Sequence, residues 1–143
     1  MTIVVERPGL HTTVQDLGRP GHQHEGVPVG GAMDDVALRI ANLLAGNAPG
    51  AAALEATLAG PVLRFERTTR IALAGADLGW TVDGRPMTPW RSVVVPARGV
   101  VAAGQPRTGC RGYLAVAGGL EVPVVMGSRA TYAPATSLGA PFP

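Results

Sequence analysis

The chain reads as a mainly β domain, a barrel or sandwich with one or two short helices, and three observations predict it. Seven short runs of β-branched and aliphatic residues follow one another from Ala53 to Val116, with turn residues between nearly every pair. Only the stretch from Asp34 to Ala45 carries a helical period. The composition, with 20 Gly and 13 Pro in 143 residues, supplies the punctuation that many tight turns require. This length suffices for one domain with a real core. Because aromatics make up only 4% of the residues, that core has to be built from Val, Ala and Leu.

Ile3 to Glu6 is a first strand, stopped by Pro8-Gly9. The segment from Thr12 to Asp34 reads as a site-bearing loop. Five glycines and two prolines fall within the 14 positions from Gly18 to Gly31, which rules out a long helix or a regular strand there. From Asp34 or Asp35 to Ala45, the residues Val36, Ile40, Leu43 and Leu44 fall on one face at helical spacing, with Arg39 off it. Asp34 suits the N-cap, Asp35 the first turn, Gly46-Asn47 the stop, and Pro49 forbids continuation.

Strands are expected over 53–58, 62–66, 70–74, 80–82, 92–95, 100–103 and 113–116. Asp83-Gly84 marks a hairpin, since both central positions of the favoured turn need positive φ. Gly127 to Tyr132 reads as a second polar loop. The closing Ser-Leu-Gly-Ala-Pro-Phe-Pro holds no terminal strand or helix, as a sequence interrupted midway would read.

All 12 basic residues are arginine, so a lysine-bearing phosphate loop, Schiff-base catalysis and covalent biotin attachment are excluded from this chain. A formal net charge of +2, without a basic run or aromatic platform, points away from nucleic acid. The single cysteine, Cys110, is expected to pack at the start of a buried strand. It fits a reducing compartment. The N-terminus lacks the pattern of a signal peptide, and no apolar run approaches a membrane span, so a cytoplasmic protein without membrane contact is expected.

Several polar residues could carry chemistry. Gln15, Asp16 and Arg19, on one tight loop, offer an amide, a carboxylate and a fork of donors suited to a planar amide, urea or carboxylate. An Asx-turn at Asp16 with a surface salt bridge of Arg19 is the competing reading. Asp34 is a cap or a substrate-facing acid, and Asn42 is a ligand or an exposed helix position. Glu55 and Asp77, both embedded in apolar sequence, either sit inside the barrel as hydrogen-bonded groups or point outward. His11, His22 and His24 lack a convincing third ligand, so no metal is expected.

Six segments together, Thr-Thr-Val-Gln-Asp-Leu-Gly-Arg-Pro-Gly from Thr12, Gly-Val-Pro-Val-Gly-Gly-Ala-Met-Asp from Gly26, Ala-Leu-Glu-Ala-Thr-Leu-Ala-Gly-Pro from Ala53, Leu-Ala-Gly-Ala-Asp-Leu-Gly from Leu73, Gly-Tyr-Leu-Ala-Val-Ala-Gly-Gly from Gly112 and Gly-Ser-Arg-Ala-Thr-Tyr from Gly127, resemble the biotin-dependent carboxyltransferase family. The family is also called allophanate hydrolase subunit 2 or KipA-like. The resemblance implies a cyclophilin-like β-barrel, incomplete here because residues 1–143 would form the N-terminal part of a domain about twice as long.

It further implies a protein like the C subunit of ATP-dependent 5-oxoprolinase, which helps to open 5-oxoproline to glutamate, or a carboxyltransferase acting on urea. Asp16 and Asp34 would then be catalytic, and Gln15, Arg19, Asn42, Glu55 and Arg129 would bind substrate. Partners would be an allophanate hydrolase subunit 1 or KipI-like subunit and a LamB/YcsF-type A subunit. ATP would be used by the complex, no cofactor would be bound covalently, and carboxybiotin would visit on a partner domain. A non-catalytic KipA-like regulator and an inactive truncated chain are the alternatives. His22 departs from the pattern, standing where the family more often has tyrosine.

Overall fold

Strand-forming runs broken by glycine, proline and aspartate fold into two antiparallel sheets in a computed structural model that describes residues 2–134 and residue 139. The first sheet orders β1 (Ile3–Arg7), β4 (Val62–Phe65), β9 (Val100–Ala102), β6 (Thr81–Val82) and β7 (Arg85–Pro86). The second orders β2 (His11–Gln15), β3 (Ala53–Thr57), β10 (Thr108–Val116), β5 (Thr69–Asp77) and β8 (Arg91–Val95). Every consecutive pair of strands except β2–β3 and β6–β7 passes from one sheet to the other, so the two layers enclose one core in the manner of a barrel. Leu63, Phe65, Ile71, Leu73, Trp80 and Val101 fill it. Each large aliphatic side chain buried there contributes about 1.5–3 kcal/mol.

The mainly β expectation holds, and so does the Asp83-Gly84 hairpin. Their φ angles of 48° and 78° let β6 and β7 pair as Val82 with Arg85. The single α-helix among the described residues, α1 (Asp35–Ala45), has the predicted bounds. The Asp34 carboxylate accepts from the Ala37 N–H at 3.0 Å, and Gly46 closes the helix at φ 86°. A 3-10 turn at Gln23–Glu25 is the second short helical element.

The face that carries the apolar period is not the buried face of the helix. Ala37, Leu38, Ala41, Asn42 and Ala45 are buried, whereas Val36 and Leu43 are each 59% exposed. The reason is the partner surface: α1 lies on Ala53, Ala72, Ala74 and Ala115 of the second sheet, and the face that packs there is built from Ala37, Ala41 and Ala45 with Leu38 as its one fully buried large aliphatic side chain.

Two loop expectations are also corrected. Residues His11–Gln15 form a strand, with Thr13 opposite Glu55 and Gln15 opposite Ala53, so the loop begins only at Asp16. Cys110 is exposed rather than packed, because the register of β10 against β5 shifts between Thr108 and Gly112. The loop after Asp16 doubles back tightly. At Gly18 (φ 87°) an added Cβ would meet the Val29 carbonyl oxygen at 2.5 Å, and at Gly31 (φ 88°) the Gly18 nitrogen at 2.7 Å. Only glycine permits both the conformation and the approach. Most of the closing Ser-Leu-Gly-Ala-Pro-Phe-Pro lies outside the described residues.

Candidate functional site

On the outer face of the second sheet, Thr13, Glu55 and Tyr113 stand side by side on β2, β3 and β10, as the strand registers require. Glu55 is 5% exposed among otherwise apolar neighbours. A carboxylate so placed is tolerated only when it is paired and hydrogen-bonded. It is both. Oε2 accepts from the Tyr113 hydroxyl at 2.6 Å and the Met33 N–H at 2.8 Å, while Oε1 lies 3.1 Å from Arg111 Nη1. The Tyr113 oxygen in turn accepts from the Asp34 N–H at 2.8 Å. The cluster thus ties the start of α1 to the middle of the sheet.

Burial above all, then the hydrogen bond donated to Glu55, pushes the Tyr113 phenol well above its usual range. The folded state therefore holds this proton longer than the unfolded chain does. Stability from Tyr113 is whole below about pH 10 and declines as pH rises further, since the unfolded state then binds fewer protons. In the folded protein at a pH of about 11, Tyr113 should add no phenolate absorbance. A Tyr113→Phe variant that lowered the phenolate signal at that pH would contradict this assignment.

Asp16 fastens a second assembly. Its Oδ1 accepts from the Gly18 N–H at 2.8 Å and the Ser128 hydroxyl at 2.6 Å, and its Oδ2 from the Arg129 N–H at 2.7 Å. The Asx-turn is present, but the carboxylate also reaches across to the turn at 125–129. Arg19 is no surface residue: it is 1% exposed and donates to the carbonyls of Ala130 at 2.6 Å and Val125 at 3.3 Å. No carboxylate among the described residues lies within ion-pair distance of it. The amide nitrogen of Gln15 donates to Thr13 and to the Thr131 carbonyl, and its buried Oε1 meets no partner among the described residues.

The remaining candidates divide. Asn42 is fully buried, donating to the Pro49 and Ala51 carbonyls and accepting from Asn47, so it holds the 47–51 loop and is not an exposed helix position. Asp34 caps α1 at its exposed start, and Asp77 forms a local turn with the Gly79 N–H. His22 and His24 lie beside Glu25 on the 3-10 turn. Arg129 lines a cavity of about 300 Å³ together with Ala51, Gly118, Gly119 and Glu121. Its Nε donates to the Val122 carbonyl at 3.1 Å, which aims the guanidinium.

Asp16, Gln15, Arg19 and Arg129 are thus gathered at one end of the second sheet, and Glu55 lies further along it. Tyr113, Arg111 and Ser128 belong to these clusters although none stands out in sequence. Their signal is strand register and a cross-chain turn, which local composition does not encode.

A family model described as carboxyltransferase domain, subdomain A and B, matches residues 25–141. The chain is 46% identical over 126 residues to the C subunit of the 5-oxoprolinase of Escherichia coli (strain K12), covering 87% of this chain and 40% of that one. It is 41% identical over 130 residues to the urea amidolyase of Lachancea kluyveri, covering 90% and 7%. Among solved structures, the K. lactis urea amidolyase matches with a TM-score of 0.92 at 38% identity, over 96% of this chain and 8% of that one. The structure of TTHA0988 in space group P6522 matches with a TM-score of 0.91 at 36% identity, over 98% and 52%. The chain therefore spans well under half the length of these curated relatives.

Proposed function

Since this chain belongs to the family of the carboxyltransferase domain, subdomain A and B, we propose that it serves as part of a subunit acting on a small amide-like substrate, with 5-oxoproline hydrolysis as the specific activity and urea-like substrates as the related one. The observation that carries this reading is the Asp16 clasp on the 125–129 turn, which presents Arg129 to a cavity of small-molecule size. A guanidinium fixed by its own Nε bond can take a carboxylate or carbonyl oxygen through its remaining donors. Identity of 46% to the C subunit of a 5-oxoprolinase supports the choice of substrate.

In this reading Arg129 orients substrate, while Asp16, Gln15 and Arg19 act as positioning residues because their hydrogen bonds run to the protein. Partner subunits of the KipI-like and LamB/YcsF types complete the assembly in the cytoplasm. No lysine occurs in these 143 residues, so a lysine-bearing phosphate loop for ATP and any covalently attached biotin belong to partner domains, from which carboxybiotin would visit. Among the described residues, no helix is long and apolar enough to cross a membrane.

The test is turnover of 5-oxoproline and of urea by the full-length protein coexpressed with its partner subunits. Arg129→Ala should raise KM roughly 10- to 100-fold, the equivalent of one charged hydrogen bond. A complex that forms but leaves both substrates untouched would instead support the KipA-like regulator.

A further inference from the structure

β7 ends the first sheet and β8 ends the second, so between these consecutive strands the barrel wall is open. A cleft of about 440 Å³ lies in the gap, walled by Val82, Pro86, Met87, Val93 and Val94. Val94 is 54% exposed and Trp90, at the head of β8, is 50% exposed. The outer edge of β8 has no strand beside it among the described residues, leaving backbone donors and acceptors in a row. Pro86 marks the β7 side, where a missing N–H is tolerated.

The charge around this opening is one-sided. Arg85 lines the cleft, Arg91 starts β8 and Arg70 stands opposite Val94 on β5; all three are exposed, and none forms an ion pair among the described residues. Asp83 is the acid lining the cleft, and one of its oxygens already accepts the Val100 N–H at 2.8 Å. A second copy of this chain would bring arginines against arginines, which disfavours edge-to-edge pairing. A nucleic acid would find charge but a single exposed tryptophan to stack on, and no use for an apolar slot with a free strand edge.

The geometry points to an extended, acidic segment of a partner polypeptide that adds as a strand along β8 and seats its apolar side chains in this cleft. Main-chain bonds to the β8 edge supply affinity, the valine and methionine walls select alternate apolar residues, and the arginine rim selects acids between them. This inference does not depend on the proposed substrate.

The test uses the 143-residue chain and a synthetic peptide of about eight alternating Val and Glu residues. Binding, read by fluorescence anisotropy, should slow amide hydrogen exchange within residues 91–95. The double variant Arg85→Glu, Arg91→Glu should weaken binding at least about tenfold while leaving the unfolding transition in place, since both side chains are exposed. The inference is overturned by any of these results: no binding, binding without protection at 91–95, equal binding of a Val/Lys peptide, or equal binding of oligothymidylate.

Discussion

Glu55→Ala lowers the unfolding free energy by about 2–4 kcal/mol, because two donors lose their acceptor and Arg111, itself 30% exposed, is left to partial hydration. The truncation leaves the Tyr113 hydroxyl without its acceptor, the Met33 N–H without a partner and Arg111 without its counter-charge. Against a typical total stability of about 5–15 kcal/mol, the variant should be unfolded at mild denaturant concentrations. Glu55→Gln separates charge from shape. Its amide oxygen, standing in place of Oε2, still accepts from both Tyr113 and Met33, so a loss of about 1–2 kcal/mol is expected from the Arg111 side, where an amide NH2 now meets the guanidinium donor to donor. Denaturant unfolding of both variants, with Tyr113→Phe completing a double-mutant cycle, measures this. A Glu55→Ala loss below about 1 kcal/mol would mean that the cluster does not anchor the start of α1.

Asp16→Asn should cost about 2–3 kcal/mol and, in the proposed role, weaken substrate binding about tenfold or more, although it changes a single atom. Asparagine retains one oxygen for Gly18 and Ser128. Its amide nitrogen then faces the Arg129 N–H, setting donor against donor where a 2.7 Å bond stood. The 125–129 turn loses its anchor, and Arg129 no longer enters the cavity at a fixed angle. In the proposed role the defect falls on KM more than on kcat, because Asp16 positions Arg129 without touching substrate. Unchanged KM for 5-oxoproline, alongside a measurable loss of stability, would confine Asp16 to the fold.

What could be read from sequence was whatever a few neighbouring residues decide. Asp34, the period to Ala45, and Gly46 set a helix whose ends needed no tertiary help. Asp83-Gly84 set a hairpin for the same reason. The face of that helix was not legible, since the alanines opposite it lie on β3, β5 and β10 and decide which residues fit. Glu55 could be recognised as an embedded acid, but that it points out of the barrel and is nonetheless buried depended on its register with Tyr113, 58 residues away, on the face that α1 covers. Neither reading of Arg19, substrate binder or surface cation, foresaw its burial, because its acceptors, Val125 and Ala130, lie more than a hundred positions downstream. The six-segment resemblance supplied the family but not these contacts, which depend on chain crossings that motif order leaves unstated.

The position of β10 has a consequence for the order in which this domain can assemble. It is the last strand in the chain among the described residues, yet it lies between β3 and β5 at the centre of its sheet. A nascent chain emerging from the ribosome therefore exposes the facing edges of β3 and β5, and the bare Glu55 carboxylate, until residue 116 is available. The earlier strands can pair β2 with β3 and β5 with β8, but these two ribbons share no neighbour before β10 inserts. Such late, non-local closure favours slow folding and a window of open edges during synthesis.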